Sequence, residues 1–153
     1  IMRKHADGTI INITSIAGSM GLPFRGAYSA SKGALNIISE ALRMEIAAQG
    51  IRVLTLAPGD YATDIASRRY HEAVIDHSPY KTTYQESLDT MDTHVDSGND
   101  PMEVAVKVAA LLRKKNPKPH YVVGSFLQKF SITLKKFLPQ KAYEKLLKNH
   151  YKL

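Results

Sequence analysis

The sequence contains no cysteine, so neither a disulfide framework nor a thiolate metal site can be built from it, and a reducing cytoplasm is the default location. No apolar run approaches the roughly 18 residues of a membrane-crossing helix. The N-terminus has neither an apolar signal core nor an initiator Met, since Met2 follows Ile1, and the chain is expected to be a truncated piece. Acidic residues are scarce in one region. Residues 113–153 hold 11 Lys/Arg against the single acid Glu144, whereas residues 1–112 hold 10 against 13 Asp/Glu. The net charge of +7 therefore belongs to the tail, and no nucleic-acid partner is expected. Internal repeats and low-complexity stretches are also absent.

What is present is 153 residues with 44% apolar content, enough for one domain with a buried core. Thr9 to Ser15 is a β-branched run without polar alternation, as in a strand buried on both faces of a parallel sheet. The breakers Gly18, Gly21, Pro23 and Gly26 make the next segment a loop. From Tyr28 to Gln49, Ala34, Leu35, Ile38, Ala41, Leu42 and Ile46 fall at helical spacing, and Gly50 supplies the stop. Ile51 to Ala57 reads as a second buried strand, ended by Pro58 and Gly59. Strand, helix, strand in that order predicts a parallel crossover and an α/β architecture.

Residues 60–100 read as polar and irregular, longer than an ordinary connection, which favours a substrate loop. Asp100, Pro101 and Glu103 predict an N-cap, a first-turn proline and a capping partner for a helix over Val104 to Lys115. His120 to Gly124 predicts another strand. The domain reading is one unit over 1–125, with 60–100 as its substrate loop, followed by a basic amphipathic helical tail over 126–153.

Tyr28 and Lys32 stand at i and i+4 at a helix start, so both side chains share one face. A nearby ammonium stabilises a phenolate and lowers a tyrosine pKa from its ordinary value of about 10. Taken alone, such a pair is usually a solvated surface pair. Its context is a buried strand ending in Ser15, a glycine-rich loop, and a second buried strand ending in Pro58-Gly59.

In that context the sequence resembles the short-chain dehydrogenase/reductase family, in unbroken register from about Gly8 to Thr63. "GTIINITSIAG" resembles the family's strand with the catalytic serine at its end, "YSASKGAL" its Tyr-x-x-x-Lys helix, and "GIRVLTLAPGDYATD" its Pro-Gly-x-x-x-Thr loop. The resemblance implies a Rossmann-like doubly wound parallel sheet, of which the C-terminal half is present. It implies an NAD(P)-dependent oxidoreductase that interconverts a carbonyl and a secondary alcohol, with NADP ahead of NAD. Tyr28 would be the acid/base, Ser15 would orient the substrate oxygen, and Lys32 would hold the nicotinamide ribose. Pro58 and Gly59 would pass beside the nicotinamide, with the Tyr61 backbone and Thr63 hydroxyl on its carboxamide. The plainer readings are a strand-ending turn for Pro58-Gly59 and a helix N-cap for Thr63. The family register selects Ser15 over Thr14 as the residue facing the substrate.

The family's glycine-rich dinucleotide turn does not occur here, because Gly18, Gly21 and Gly26 follow the Ser15 strand instead of a first strand. The alternative reading is accordingly a catalytically incompetent fragment or scaffold that lacks the dinucleotide-binding half. The tail resembles the steroid, retinol and sphingoid-base branch, which implies an apolar or lipid-like small-molecule substrate. Phe126, Phe130, Leu134, Phe137 and Leu138 line one side of a tail helix, with Lys129, Lys135 and Lys136 on others, and Tyr143, Leu146 and Leu147 mark a second helix. These helices are expected to cap the sheet or substrate pocket, with peripheral membrane contact as the alternative. Ala27, Ala30, Gly33, Ala34 and Ala41 are small enough for close helix approach, and the resemblance implies a homodimer or homotetramer. His71, Asp76, His77, Asp92, His94 and Asp96 lack tight ligand spacing, and no metal is expected. Tyr61, Tyr70, Tyr80 and Tyr84 are candidate substrate contacts, and Arg68 and Arg69 candidate partners of an acidic substrate group.

Overall fold

The computed structural model describes residues 1–65, 67–70, 74 and 76–153. The elements run α1 (Met2–His5), β1 (Gly8–Ile13), a 3₁₀ turn (Ile16–Ser19), α2 (Gly26–Ile46), β2 (Ile51–Pro58), α3 (Lys81–Asp96), α4 (Met102–Leu112), β3 (His120–Val123), α5 (Phe126–Phe137) and α6 (Gln140–His150). The strands form one parallel sheet in the order β1-β2-β3. Gly8 pairs with Ile51 through to Ile13 with Leu56, and Thr55 pairs with His120 through to Pro58 with Val123.

Alternation along β1 shows that helices cover both faces of this sheet. Ile11 packs, like Val104 and Val108 of α4, against a buried cluster that includes Leu54, Leu56 and Val123 of the sheet and Leu111 of α4. Its neighbour Asn12 donates from Nδ2 to Ser39 Oγ of α2 at 2.8 Å, and successive strand residues point to opposite faces. Ser39 is fully buried and donates onward to the Leu35 carbonyl at 2.6 Å. Arg43 of α2 donates from Nε to the Val53 carbonyl at 2.7 Å. The parallel α/β arrangement expected from the strand-helix-strand order is present, as is the doubly wound cover of the sheet that the family resemblance implied.

Several local expectations change. β2 is buried along Ile51 and Val53 to Leu56, but β1 is only half-buried and Ile13 is 42% exposed. Among the described residues β1 pairs with β2 on one side, and its half-burial departs from the burial on both faces that its apolar run suggested. Helix α2 begins at Gly26, two residues before Tyr28, and after a 3₁₀ turn the chain leaves through Gly50 in the left-handed region. Ile38, expected in its buried stripe, points outward with Ile37 and Met44, while the polar Ser39 takes the buried position.

Residues 60–100 are not irregular throughout. Helix α3 occupies Lys81–Asp96 and buries Leu88, Met91 and Val95. Tyr84, Leu88, Met91 and Val95 follow helical spacing, a signal diluted by the polar residues between them. At the start of α4, Asp100 Oδ1 accepts from the Met102 N–H at 2.8 Å as expected of a cap. Glu103, however, does not complete a capping box: its carboxylate accepts from the Tyr61 hydroxyl and from Asn99 Nδ2, both at 3.1 Å.

The tail folds back on the rest of the chain. Ser125 and Gln128 form a reciprocal capping box at the start of α5. Tyr143 of α6 is buried, with its hydroxyl 2.9 Å from Met20 Sδ. Tyr151 is buried in a second cluster with Leu88 and Met91 of α3.

Candidate active site

Where β1 and β2 end, the chain encloses a cavity of about 1360 Å³. Ser15, Tyr28, Lys32, Pro58, Gly59, Tyr61 and Thr63, singled out from the sequence, all line it.

Ser15 follows β1 and caps the 3₁₀ turn, its Oγ accepting from the Ala17 N–H at 3.1 Å. Ser15 is buried but borders the cavity. Thr14 is buried beside it and spends its hydroxyl on the Leu56 carbonyl at 3.4 Å. Tyr28 and Lys32 lie in the first two turns of α2. The Lys32 ammonium donates to the Ile13 carbonyl at 3.2 Å and lies 5.9 Å from the centre of the Tyr28 ring. The Tyr28 hydroxyl takes no hydrogen bond among the described residues, and Tyr28 is 38% exposed.

The turn after Ser15 sits unusually close to α2. A Cβ on Gly18 would stand 2.9 Å from the Lys32 carbonyl carbon, and one on Gly33 would stand 3.2 Å from the Gly18 carbonyl oxygen. Gly33 therefore serves packing inside the chain. This contact sets how far Ser15 lies from the helix that carries Tyr28 and Lys32.

The opposite wall is the Pro58-Gly59 loop. The Gly59 N–H donates to the Val123 carbonyl at 2.8 Å, and a side chain at Gly59 would collide with the Gln128 amide. Gln128 Nε2 donates to Asp60 Oδ2 at 2.8 Å while its Oε1 accepts from the Ser125 N–H at 3.0 Å. One tail side chain thus fastens α5 to the loop after β2. Sequence reasoning missed Gln128, although Ser125-x-x-Gln128 carries the spacing of a capping box.

Tyr61 is buried, and its backbone bridges to Asn99. Its hydroxyl pKa is pushed up to about 12, first by burial and then by the adjacent Glu103 carboxylate. The Thr63 hydroxyl donates to the Tyr61 carbonyl at 3.4 Å, and among the described residues no helix starts at Thr63.

Of the remaining candidates, Tyr70, Tyr84, Arg68 and Arg69 border the cavity, whereas the exposed Tyr80 does not. Arg69 is paired with Asp92 at 2.9 Å and Arg68 with Asp64 at 3.5 Å. Asp76 is paired with Lys81 at 2.5 Å, and His94 stacks on His150 with ring centres 5.0 Å apart. No cluster of three metal-ligating side chains occurs among the described residues, and His71 lies outside them. The tail supplies Leu127, Gln128, Ser131, His150 and Tyr151 to the wall. It therefore caps the cavity, and Arg25, Asp60, His94, His150 and Tyr151 join a lining that their positions in the sequence did not suggest.

Parallel strands joined through a covering helix, with the cavity where those strands end, define a Rossmann-like α/β protein. The short chain dehydrogenase model matches residues 1–73. The chain is 33% identical over 151 residues to the 3-ketodihydrosphingosine reductase of Bacteroides thetaiotaomicron, a match that covers 98% of this chain and 56% of that protein. A short-chain dehydrogenase from Streptomyces avermitilis superposes with a TM-score of 0.65 at 26% identity, covering 97% of this chain and 54% of that one. The F189W actinorhodin polyketide ketoreductase, solved with NADPH, superposes at 0.62 and 30% identity over 83% of this chain and 49% of that one. The chain belongs to the short-chain dehydrogenase/reductase family. It spans about half the length of the relatives it matches and aligns with their C-terminal half.

The donor set fits the nicotinamide end of a dinucleotide. Tyr28 presents an unpartnered hydroxyl, and Lys32 has donors left beyond the one given to Ile13.

Proposed function

We propose that this chain carries the catalytic centre of an NAD(P)-dependent oxidoreductase that interconverts a ketone and a secondary alcohol. The observation that carries this reading is the placing of Ser15, Tyr28 and Lys32, from two separate elements, around one cavity with the Tyr28 hydroxyl unpartnered. In the reducing direction Tyr28 gives its hydroxyl proton to the substrate oxygen, and in oxidation its phenolate takes that proton back. Ser15 orients the same oxygen. Lys32 holds its ammonium beside the Tyr28 ring, where a cation favours the phenolate left after proton transfer. The nicotinamide, when bound, supplies or accepts the hydride. Lys32 and Tyr28, with Pro58, Gly59, Tyr61 and Thr63, would hold that ring, and NADP is favoured over NAD because the polyketide ketoreductase was solved with NADPH.

An apolar or lipid-like substrate is favoured by the wall, where Met20, Leu22, Phe24, Leu88, Met91 and Leu127 line the cavity. The similarity to a 3-ketodihydrosphingosine reductase points the same way. Assembly as a homodimer through the exposed α2 face, with Ile37, Ile38 and Met44, fits the same reading. Residues 1–153 alone would bind dinucleotide poorly, since no glycine-rich pyrophosphate turn is found among the described residues. The test is Tyr28→Phe in the full-length protein: turnover should fall by at least about a hundredfold with dinucleotide binding retained, and unchanged turnover refutes the assignment.

A further inference from the structure

The cavity has a basic corner that the proton-transfer chemistry does not use. Arg25, the residue before α2, directs Nη2 to the Tyr151 hydroxyl and holds its guanidinium carbon 5.3 Å from the Tyr151 ring centre. Its Nε is buried without a partner, and no carboxylate among the described residues pairs with it. The neighbouring arginines differ, since Arg68 and Arg69 each have an aspartate. Beside Tyr151, His150 stacks on His94 with an interplanar angle of 19°. Asp60 is the acid whose charge reaches His150 and Tyr151, and it already accepts from Gln128.

An arginine stays charged at any physiological pH, and burying part of it without a counter-ion is costly unless a ligand completes its hydrogen bonds. Two imidazoles beside it raise that cost whenever either is protonated. His150 shows the strain: its pKa is lowered by burial first, then by His94 and Arg25. An anion between these groups would offset the charge of Arg25 and of either imidazolium, though not the burial of His150. The corner is built by distant parts of the chain, with Arg25 ahead of α2, His94 on α3 and His150 at the end of α6. Buried Tyr151 anchors it against Leu88 and Met91. The rest of the wall is largely apolar.

We propose that Arg25, His94 and His150 form a subsite for an anionic group, so that the substrate is an amphiphile bearing a carboxylate, sulfonate or phosphate besides its reacting ketone. This rests on reading the cavity as the substrate site. The group would take an N–H from the Arg25 guanidinium and one N–H from each imidazole. The apolar body would lie along Leu22, Leu88 and Met91.

Calorimetric binding of decanoate, decanol and decyltrimethylammonium to the full-length protein tests it without turnover. Decanoate should bind at least tenfold more tightly than decanol, and decyltrimethylammonium more weakly than either. The preference should vanish in Arg25→Met and shrink in His150→Gln and His94→Gln, each checked for a native unfolding transition. Tyr28→Phe should keep it. Equal affinity for decanoate and decanol, or a preference that survives Arg25→Met, overturns the subsite. An intact preference with Tyr28→Phe still fully active would instead refute the catalytic assignment alone.

Discussion

Gly18 lies so close to Lys32 that a Cβ on Gly18 would stand 2.9 Å from the Lys32 carbonyl carbon and 3.0 Å from its oxygen. Both of those atoms are backbone, so neither can swing aside. The turn that begins at Ser15 and the helix that carries Tyr28 and Lys32 are thus held together through a position that admits only hydrogen.

Gly18→Ala should therefore push the turn away from α2 and separate Ser15 from Tyr28. Overpacking of this kind costs about 1–3 kcal/mol. Turnover should fall by about tenfold or more, beyond what the lost stability explains, because misplacement near the reacting atoms is amplified in rate. Urea unfolding and kcat measured on the same protein check both effects, and a destabilised variant with unchanged kcat would show that the contact is structural only.

Gln128 joins the Ser125 N–H to Asp60 across the tail and the Pro58-Gly59 loop. Gln128→Ala removes the return half of the capping box and the Asp60 bond together, a loss of about 1–2 kcal/mol. The loop should loosen, and KM for the dinucleotide should rise more than kcat falls. Steady-state kinetics separate the two, and an unchanged KM would exclude coupling of the tail to the loop.

Tyr61 makes a prediction about alkaline pH. Its pKa stands at about 12 in the folded chain against 10.0 for an unperturbed tyrosine. Between those values the folded state holds a proton that the unfolded state has lost. The stabilisation is complete below pH 10 and is lost as pH rises through about 12. Wild-type denaturation midpoints should fall more steeply than those of Tyr61→Phe across that window. Parallel curves would mean that burial and the Glu103 carboxylate do not raise the Tyr61 pKa as described.

Helix α5 leaves Phe126, Leu127 and Phe137 exposed at 77%, 75% and 81%, on the helix that also carries Lys129, Lys135 and Lys136. Aromatic and basic residues together suit an anionic membrane surface. The protein should pellet with phosphatidylserine-containing vesicles. Pelleting should weaken in high salt and in Phe126→Ser/Phe137→Ser, and its absence at low salt would end this proposal.

The sequence alone was sufficient for everything governed by short spacing and local order. Four residues of helix place Tyr28 and Lys32 on one face, a glycine-rich break ends the Ser15 strand, and Pro58-Gly59 ends the next. Together these determine a parallel strand-helix-strand unit. Local order could not reveal that Ser39 and not Ile38 faces the sheet, or that Glu103 serves Tyr61. Each depends on what another segment places opposite. Helix α3 was masked because its apolar positions are few and widely separated by polar ones. The basic corner of Arg25, His94 and His150 was beyond reach for the same physical reason: its members lie on three elements far apart in the chain, and only the packing of Tyr151 against α3 brings them together.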